Sequence, residues 1–143
     1  MIHGSMTPPI LLARLAVGLV LLLTASTRMP AADWPEFLGP TRDNISPEKG
    51  LRQNLSADGV PVVWKREVGT GYSAPSIKGQ TLVLHHRLGG EEIVEACDAA
   101  TGKTIWKKTY PTRFIDPFGY NNGPRCSPLL TDRYCITFGA EGV

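Results

Sequence analysis

The chain is short of the groups that most often announce chemistry. Its 143 residues hold three cysteines, Cys97, Cys126 and Cys135, with no CxxC pair and no Cys/His spacing of a zinc site. No Ser/His/Asp or Cys/His order points to an activated nucleophile. No acidic cluster has the spacing of a calcium loop, and Asp116, Asp132 and Glu141 lie far apart. Neither sign of charge dominates: 15 Lys and Arg stand against 13 Asp and Glu, a formal +2. That balance removes the electrostatic argument for a nucleic-acid partner or an anionic membrane surface. The basic pair Lys107-Lys108 reads as a solvated strand end. No apolar run reaches the ~20 residues of a transmembrane helix, so no stable membrane span is expected once a leader is removed.

What the chain has at its start is an export signal over residues 1–32. Arg14 supplies the positive charge, and Leu15 to Leu23 is an unbroken apolar run, extended upstream by Ile10 to Ala13. Ala25, Ser26, Ala31 and Ala32 then supply small residues, which completes the order of a secretory leader. Cleavage is expected between residues 25 and 32, and an uncleaved anchor is the competing reading. His3 and the second methionine, Met6, leave the true start open. No cysteine near the cleavage region supports a lipoprotein. The mature chain is therefore expected in the periplasm or outside the cell. Its odd cysteine count leaves at least one thiol unpaired. A two-residue turn near Thr131-Asp132 would pair Cys126 with about residue 137 across the hairpin, which argues against a Cys126–Cys135 disulfide. All three are expected to be small buried apolar residues.

Glycine (15) and proline (12) are frequent and punctuate turns, which suits many short strands. Residues 33–63 mix loop signals with the apolar anchors Trp34, Phe37, Leu38, Ile45, Leu51, Leu55, Val62 and Val63. An irregular lead-in lying on a folded body is expected there, because a disordered tail would lack such anchors. From Trp64 the pattern turns to strands: Ser73–Ile77, Thr81–His86, Glu92–Asp98 and Lys103–Tyr110. The third alternates Ile93, Glu95 and Cys97 against Val94 and Ala96, so cover on both faces is expected. Asp98 and Gly102 supply the turn before the fourth strand: an aspartate that binds amides ahead of it and a glycine free to turn left-handed.

The pattern then restarts. Arg125–Leu130 echoes Gly71–Ile77, and Asp132–Phe138 echoes Gly79–Leu84. The spacing of Trp64 and Trp106 fits the ~40–50 residues of a propeller repeat. The longer spacing from Pro75 to Pro128 places an insertion within Pro111–Pro124. An unrelated all-β meander is the bland alternative.

Ala96-Cys97-Asp98-Ala99-Ala100-Thr101-Gly102-Lys103-Thr104-Ile105-Trp106 resembles the repeat ending of the pyrroloquinoline-quinone-like (PQQ-like) β-propeller family. Trp34-Pro35-Glu36-Phe37-Leu38-Gly39-Pro40 is similar to the lead-in before that family's first blade. The resemblance covers residues 34–143. It implies an all-β fold of four-stranded antiparallel blades, here about one and a half: the first over about 73–110, the second begun at about 125 and broken off at Val143. A closed propeller needs at least four. The resemblance further implies that Trp106 docks between blades and that Trp64 closes a preceding strand, with Asp98, Thr101 and Gly102 as structural motif residues.

The family contains quinoprotein dehydrogenases that bind PQQ and Ca²⁺, and assembly factors that bind no cofactor and dock protein partners. This chain lacks the adjacent cysteine pair found in many quinoproteins and any calcium-loop spacing. The expectation is an exported binding or scaffold module for a protein or cell-envelope ligand, with no catalytic residue, metal or cofactor in residues 64–143. The alternative is part of a PQQ-dependent dehydrogenase oxidising alcohols or sugars. A solitary β-module that oligomerises through its open edges ranks last.

Candidate ligand-binding residues fall in the insertion: Arg113, Asp116, Tyr120, Asn121, Asn122 and Arg125, with Phe114 and Phe118 as apolar company. Such a set suits a carboxylate, a sugar or a peptide. The bland reading is that Asn121-Asn122-Gly123 is turn chemistry and the aromatics pin the loop. Gly69 and Gly71 in the preceding link are expected to permit close backbone approach. His85 and His86 are sequential and face opposite sides of a strand, so they read as surface or edge histidines.

Overall fold

The computed structural model describes residues 31–51, 53–55, 57 and 59–143. The expected leader falls on residues 1–32, of which 1–30 lie outside the described residues. Four strands, β1 (Ser76–Lys78), β2 (Thr81–Leu88), β3 (Glu91–Asp98) and β4 (Thr104–Pro111), make one antiparallel sheet in chain order. Two short strands, β5 (Leu129–Leu130) and β6 (Cys135–Ile136), pair as a second antiparallel sheet. The described chain is thus all-β and without helix, and no helix among the described residues is long and apolar enough to cross a membrane.

Turn chemistry sets the meander. Gly79-Gln80 joins β1 to β2 and Gly89-Gly90 joins β2 to β3, two-residue links that fix register. The link from β3 to β4 is longer and is organised by Asp98. Its carboxylate accepts from the amide of Thr101 (2.8 Å) and from the Thr101 hydroxyl (2.7 Å). Gly102 closes the turn at φ +70°, with its N–H donating to the Asp98 carbonyl. The Trp64 ring lies against this glycine, so near that a Cβ would sit 2.7 Å from it. Its indole donates to the Ala99 carbonyl at 2.9 Å. Trp64 therefore caps the turn rather than closing a strand of its own.

A bulge follows at once: Cys97 faces Thr104 and Ala96 faces Trp106, which leaves Ile105 unmatched. The register then places Val83, His85, Val94, Ala96, Glu92, Trp106 and Tyr110 on one face of the sheet. Leu82, His86, Ile93, Glu95 and Cys97 take the other. Leu130 of the second sheet packs on the first face, making a core with Val83, Val94 and Ala96, and Tyr110 at its margin. Arg66 and Gly69 reach this second face, where they bond to Glu95 and His86.

Several sequence expectations are corrected. The first strand is shorter than 73–77, because Ser73 donates to the Pro124 carbonyl (3.2 Å) and Ala74 to the Ser127 hydroxyl (3.2 Å). The β5–β6 link runs over four residues, with Leu130 opposite Cys135. Cys97 is buried, but Cys126 and Cys135 are exposed, and all three are free thiols. The docking expected of Trp106 is not among these corrections: the residue is 37% exposed and lines the cleft between the two sheets. In the lead-in, Trp34 is seated: its backbone exchanges two hydrogen bonds of 2.9 Å with Ile77. Pro35 next to it accepts from the Leu130 amide at 2.8 Å. Phe37, Ile45, Leu51, Leu55, Val62 and Val63 are exposed instead of acting as anchors.

Candidate functional site

The insertion after β4 folds around a single carboxylate. Asp116 accepts from the amides of Phe118, Tyr120 and Asn121, each at 3.1 Å, and from the Arg125 guanidinium at 3.0 Å. Its own amide donates to Asn122 Oδ1 at 2.8 Å. Such a ring forms because a short acidic side chain can accept from amides just ahead of it in the chain. The amides of Asn121 and Phe118 hold the Asp116 carboxyl below its ordinary range, and the Arg125 charge adds to this against burial.

Neighbouring elements fix the loop from outside. Arg87 on β2 donates through Nη1 to the carbonyls of Phe114 (2.6 Å) and Asn122 (2.9 Å). Glu141 accepts from the Thr112 hydroxyl (2.9 Å) and the Arg113 amide (3.0 Å), which lowers its carboxyl. The Arg125 guanidinium lies over the rings of Tyr72 and Phe114, 5.9 and 5.5 Å from their centroids. Gly69 and Gly123 allow the two links to close in: a Cβ on Gly123 would sit 2.2 Å from the Thr70 carbonyl, and one on Gly69 1.9 Å from that of Arg87.

The structure brings five of the six expected residues into this cluster. Asp116 is buried, and Asn121, Asn122 and Arg125 are bonded within the loop. Tyr120 is 76% exposed and stacks beside Phe118, 78% exposed, with centroids 6.3 Å apart and planes 27° off parallel. Arg113 stands apart, exposed, with its backbone amide bonded to Glu141. A shallow pocket of about 290 Å³ opens here, lined by Thr70, Ile115, Asp116, Tyr120, Asn121 and Asn122. The motif residues Asp98, Thr101, Gly102 and Trp64 gather at the opposite end of β4. Trp106 lines a separate cleft of about 460 Å³ between the sheets, with Lys78, Val83, Leu130, Asp132 and Tyr134.

Two buried polar networks escaped the sequence reading. On the first face, the Tyr110 hydroxyl donates to Glu92 Oε2 at 2.7 Å, and His85 Nε2 lies 3.0 Å from that hydroxyl and 3.3 Å from the carboxylate. The Ala140 amide donates to the other Glu92 oxygen at 2.9 Å. Burial pushes the His85 pKa down against the pull of Glu92, and burial with the Glu92 bond pushes Tyr110 far up. His85 is thus neutral and buried, a correction to the surface reading. With the tyrosine proton spent on Glu92, the Nε2–H tautomer donates to the hydroxyl, and Nδ1 is left buried and unpartnered.

On the second face, Glu95 takes Arg66 at 2.5 Å and His86 Nε2 at 3.1 Å, while His86 Nδ1 accepts from the Gly69 amide at 3.0 Å. The visible signal for both networks was a diagonal one: histidines on β2 two positions from glutamates on β3. Among the described residues, no group of three or more His, Cys, Asp or Glu is arranged to hold a metal ion. No family model, curated protein or solved structure matches the chain.

Proposed function

We propose that the chain contributes blades of a PQQ-like β-propeller that works outside the cytoplasm as a binding module, with loop 111–125 as its recognition surface. Four strands in series are the content of one propeller blade, and a second sheet packs over one face through Leu130. The leader-like residues 1–32 support export. The single observation that carries the binding role is the loop. It is held by its own hydrogen bonds, yet it leaves Ile115, Phe118 and Tyr120 about three-quarters exposed. A loop ordered before contact gives up little entropy when a partner arrives.

The test places a photo-crosslinking residue at Phe118 in the exported native protein, with Lys107 on β4 as the control position. A discrete cell-envelope adduct from position 118 alone is the expected result. Equal labelling from both positions overturns the loop as the recognition surface. Turnover of alcohols or sugars dependent on added PQQ and Ca²⁺ would overturn the non-enzymatic reading.

A further inference from the structure

The chain holds a single Asn-Gly step, Asn122-Gly123, and it lies in the loop after β4. Such a step is open to attack from within. Glycine has no Cβ to hinder the approach of its own nitrogen. The Gly123 nitrogen can attack Cγ of Asn122 and close a cyclic imide. The new N–C bond costs that nitrogen its proton, which passes to water, and Nδ2 leaves as ammonia. Water then opens the imide at either carbonyl. The net change turns asparagine and water into ammonia and aspartate, or into ammonia and isoaspartate, in which the main chain gains a carbon.

Asn122 is exposed, so water is at hand and the barrier has to come from geometry. The Gly123 N–H donates to Asn121 Oδ1 at 2.8 Å. The main-chain carbonyl of Asn122 accepts from Arg87 Nη1 at 2.9 Å. The peptide unit between the two residues is thus held at its nitrogen and at its oxygen. The side chain that it has to meet is held separately, since Asn122 Oδ1 accepts from the Asp116 amide at 2.8 Å. Downstream, the Pro124 carbonyl accepts from the amides of Tyr72 (2.8 Å) and Ser73 (3.2 Å). Gly123 itself is buried, and a Cβ on it would sit 2.2 Å from the Thr70 carbonyl oxygen. That packing leaves the peptide little room to swing toward Cγ.

We infer that Asn122-Gly123 is a latent deamidation site, held intact by the closed loop and converted when the loop opens. Water is the only co-reactant. The change runs one way. Aspartate at this position keeps an oxygen for the Asp116 amide but adds a negative charge to the loop. Isoaspartate lengthens the main chain where Gly123 is packed on Thr70, so the loop does not close again in its first form. The inference is independent of what the loop binds.

The test compares the exported native protein with a free peptide of residues 116–125, both held at mildly alkaline pH. Peptide mapping by mass spectrometry follows Asn122 and separates its two acidic products. Conversion should be at least about tenfold slower in the protein, the factor given by about 1.4 kcal/mol of closing free energy. Asn121→Ala frees the Gly123 N–H and leaves the main-chain bond of residue 121 to Asp116 in place. It should raise the rate toward that of the peptide at an unchanged Tm. If that variant does not fold, the native protein in graded urea below its unfolding midpoint takes its place. The rate should then rise in step with hydrogen exchange at the Gly123 amide, because both need that N–H released.

Equal rates in protein and peptide overturn the inference, since the tethers then protect nothing. A folded Asn121→Ala that converts at the parent rate overturns it too, as does a urea series in which rate and exchange part. Faster conversion in the protein than in the peptide also overturns it: the Asp116 amide would then activate the Asn122 side-chain carbonyl instead of holding it away.

Discussion

β3 and β4 are neighbours of eight residues each, and their burial is opposite to their composition. β3, Glu-Glu-Ile-Val-Glu-Ala-Cys-Asp, carries four acidic side chains, yet its six residues from Glu92 to Cys97 are all buried. β4, Thr-Ile-Trp-Lys-Lys-Thr-Tyr-Pro, carries two charges and two large aromatics, yet only Tyr110 is even half-buried. Place in the sheet decides this, since β3 has a strand on each side and packed segments on both faces. β4 is the last strand of this sheet, with no partner on its outer side among the described residues. Lys107 and Lys108 on that edge oppose pairing with another chain, a usual way to guard an open strand. Buried glutamates persist in β3 only because each has partners in place: Tyr110 and the Ala140 amide for Glu92, and Arg66 with His86 for Glu95.

Breaking the β3 side should give the largest effect. Glu92→Ala takes the acceptor from the Ala140 amide and leaves the Tyr110 hydroxyl only the His85 ring nitrogen 3.0 Å away. A loss of about 3–5 kcal/mol in chemical denaturation is expected. A loss below about 1 kcal/mol would mean the network adds nothing to the fold. On the β4 side, Trp106→Ala should cost about 1–2 kcal/mol, because more than a third of the residue already faces water. The full 3–5 kcal/mol of a buried aromatic would reveal a further surface seated on Trp106 in the native protein.

Acid should sharpen the contrast through His85. Its folded pKa lies below the reference value of 6.5, so the unfolded chain binds the proton more readily. Stability is therefore held above pH 6.5 and lost as pH falls through the folded value. His85→Asn should flatten the stability profile in that window, whereas an unchanged slope would assign the loss to other groups. Lys108→Ser on the exposed strand should stay within about 0.5 kcal/mol of the parent. Its visible effect should be in light scattering at high concentration, where the less guarded edge associates.

The meander was legible in the sequence because its signals are local. Alternation fixed β2 and β3 to within a residue or two, and Asp98, Thr101 and Gly102 marked a turn that forms with those very contacts. The interior carboxylates were not legible, because their partners come from other strands through a register that one strand does not contain. Asp116 was named as a ligand contact, and the structure instead spends its carboxylate on the loop itself. Nothing in Pro111–Pro124 distinguishes an aspartate that reaches outward from one that folds back. The cysteines were misplaced for a similar reason: the β5–β6 link is longer than two residues, and both flanking thiols turn to solvent.

The contact of Pro35 with Leu130 has a consequence for the order of folding. The hairpins β1–β2, β2–β3 and β3–β4 close through links of two to five residues, which are fast events. Joining residue 35 to residue 130 closes almost the whole described chain, and this search slows as sequence separation grows. The meander should therefore assemble first, with the Trp34–Pro35 segment settling between Ile77 and Leu130 last. In hydrogen exchange, the Leu130 amide should lose protection before those of β3, so that the molecule opens along this seam while its central hairpins are still intact.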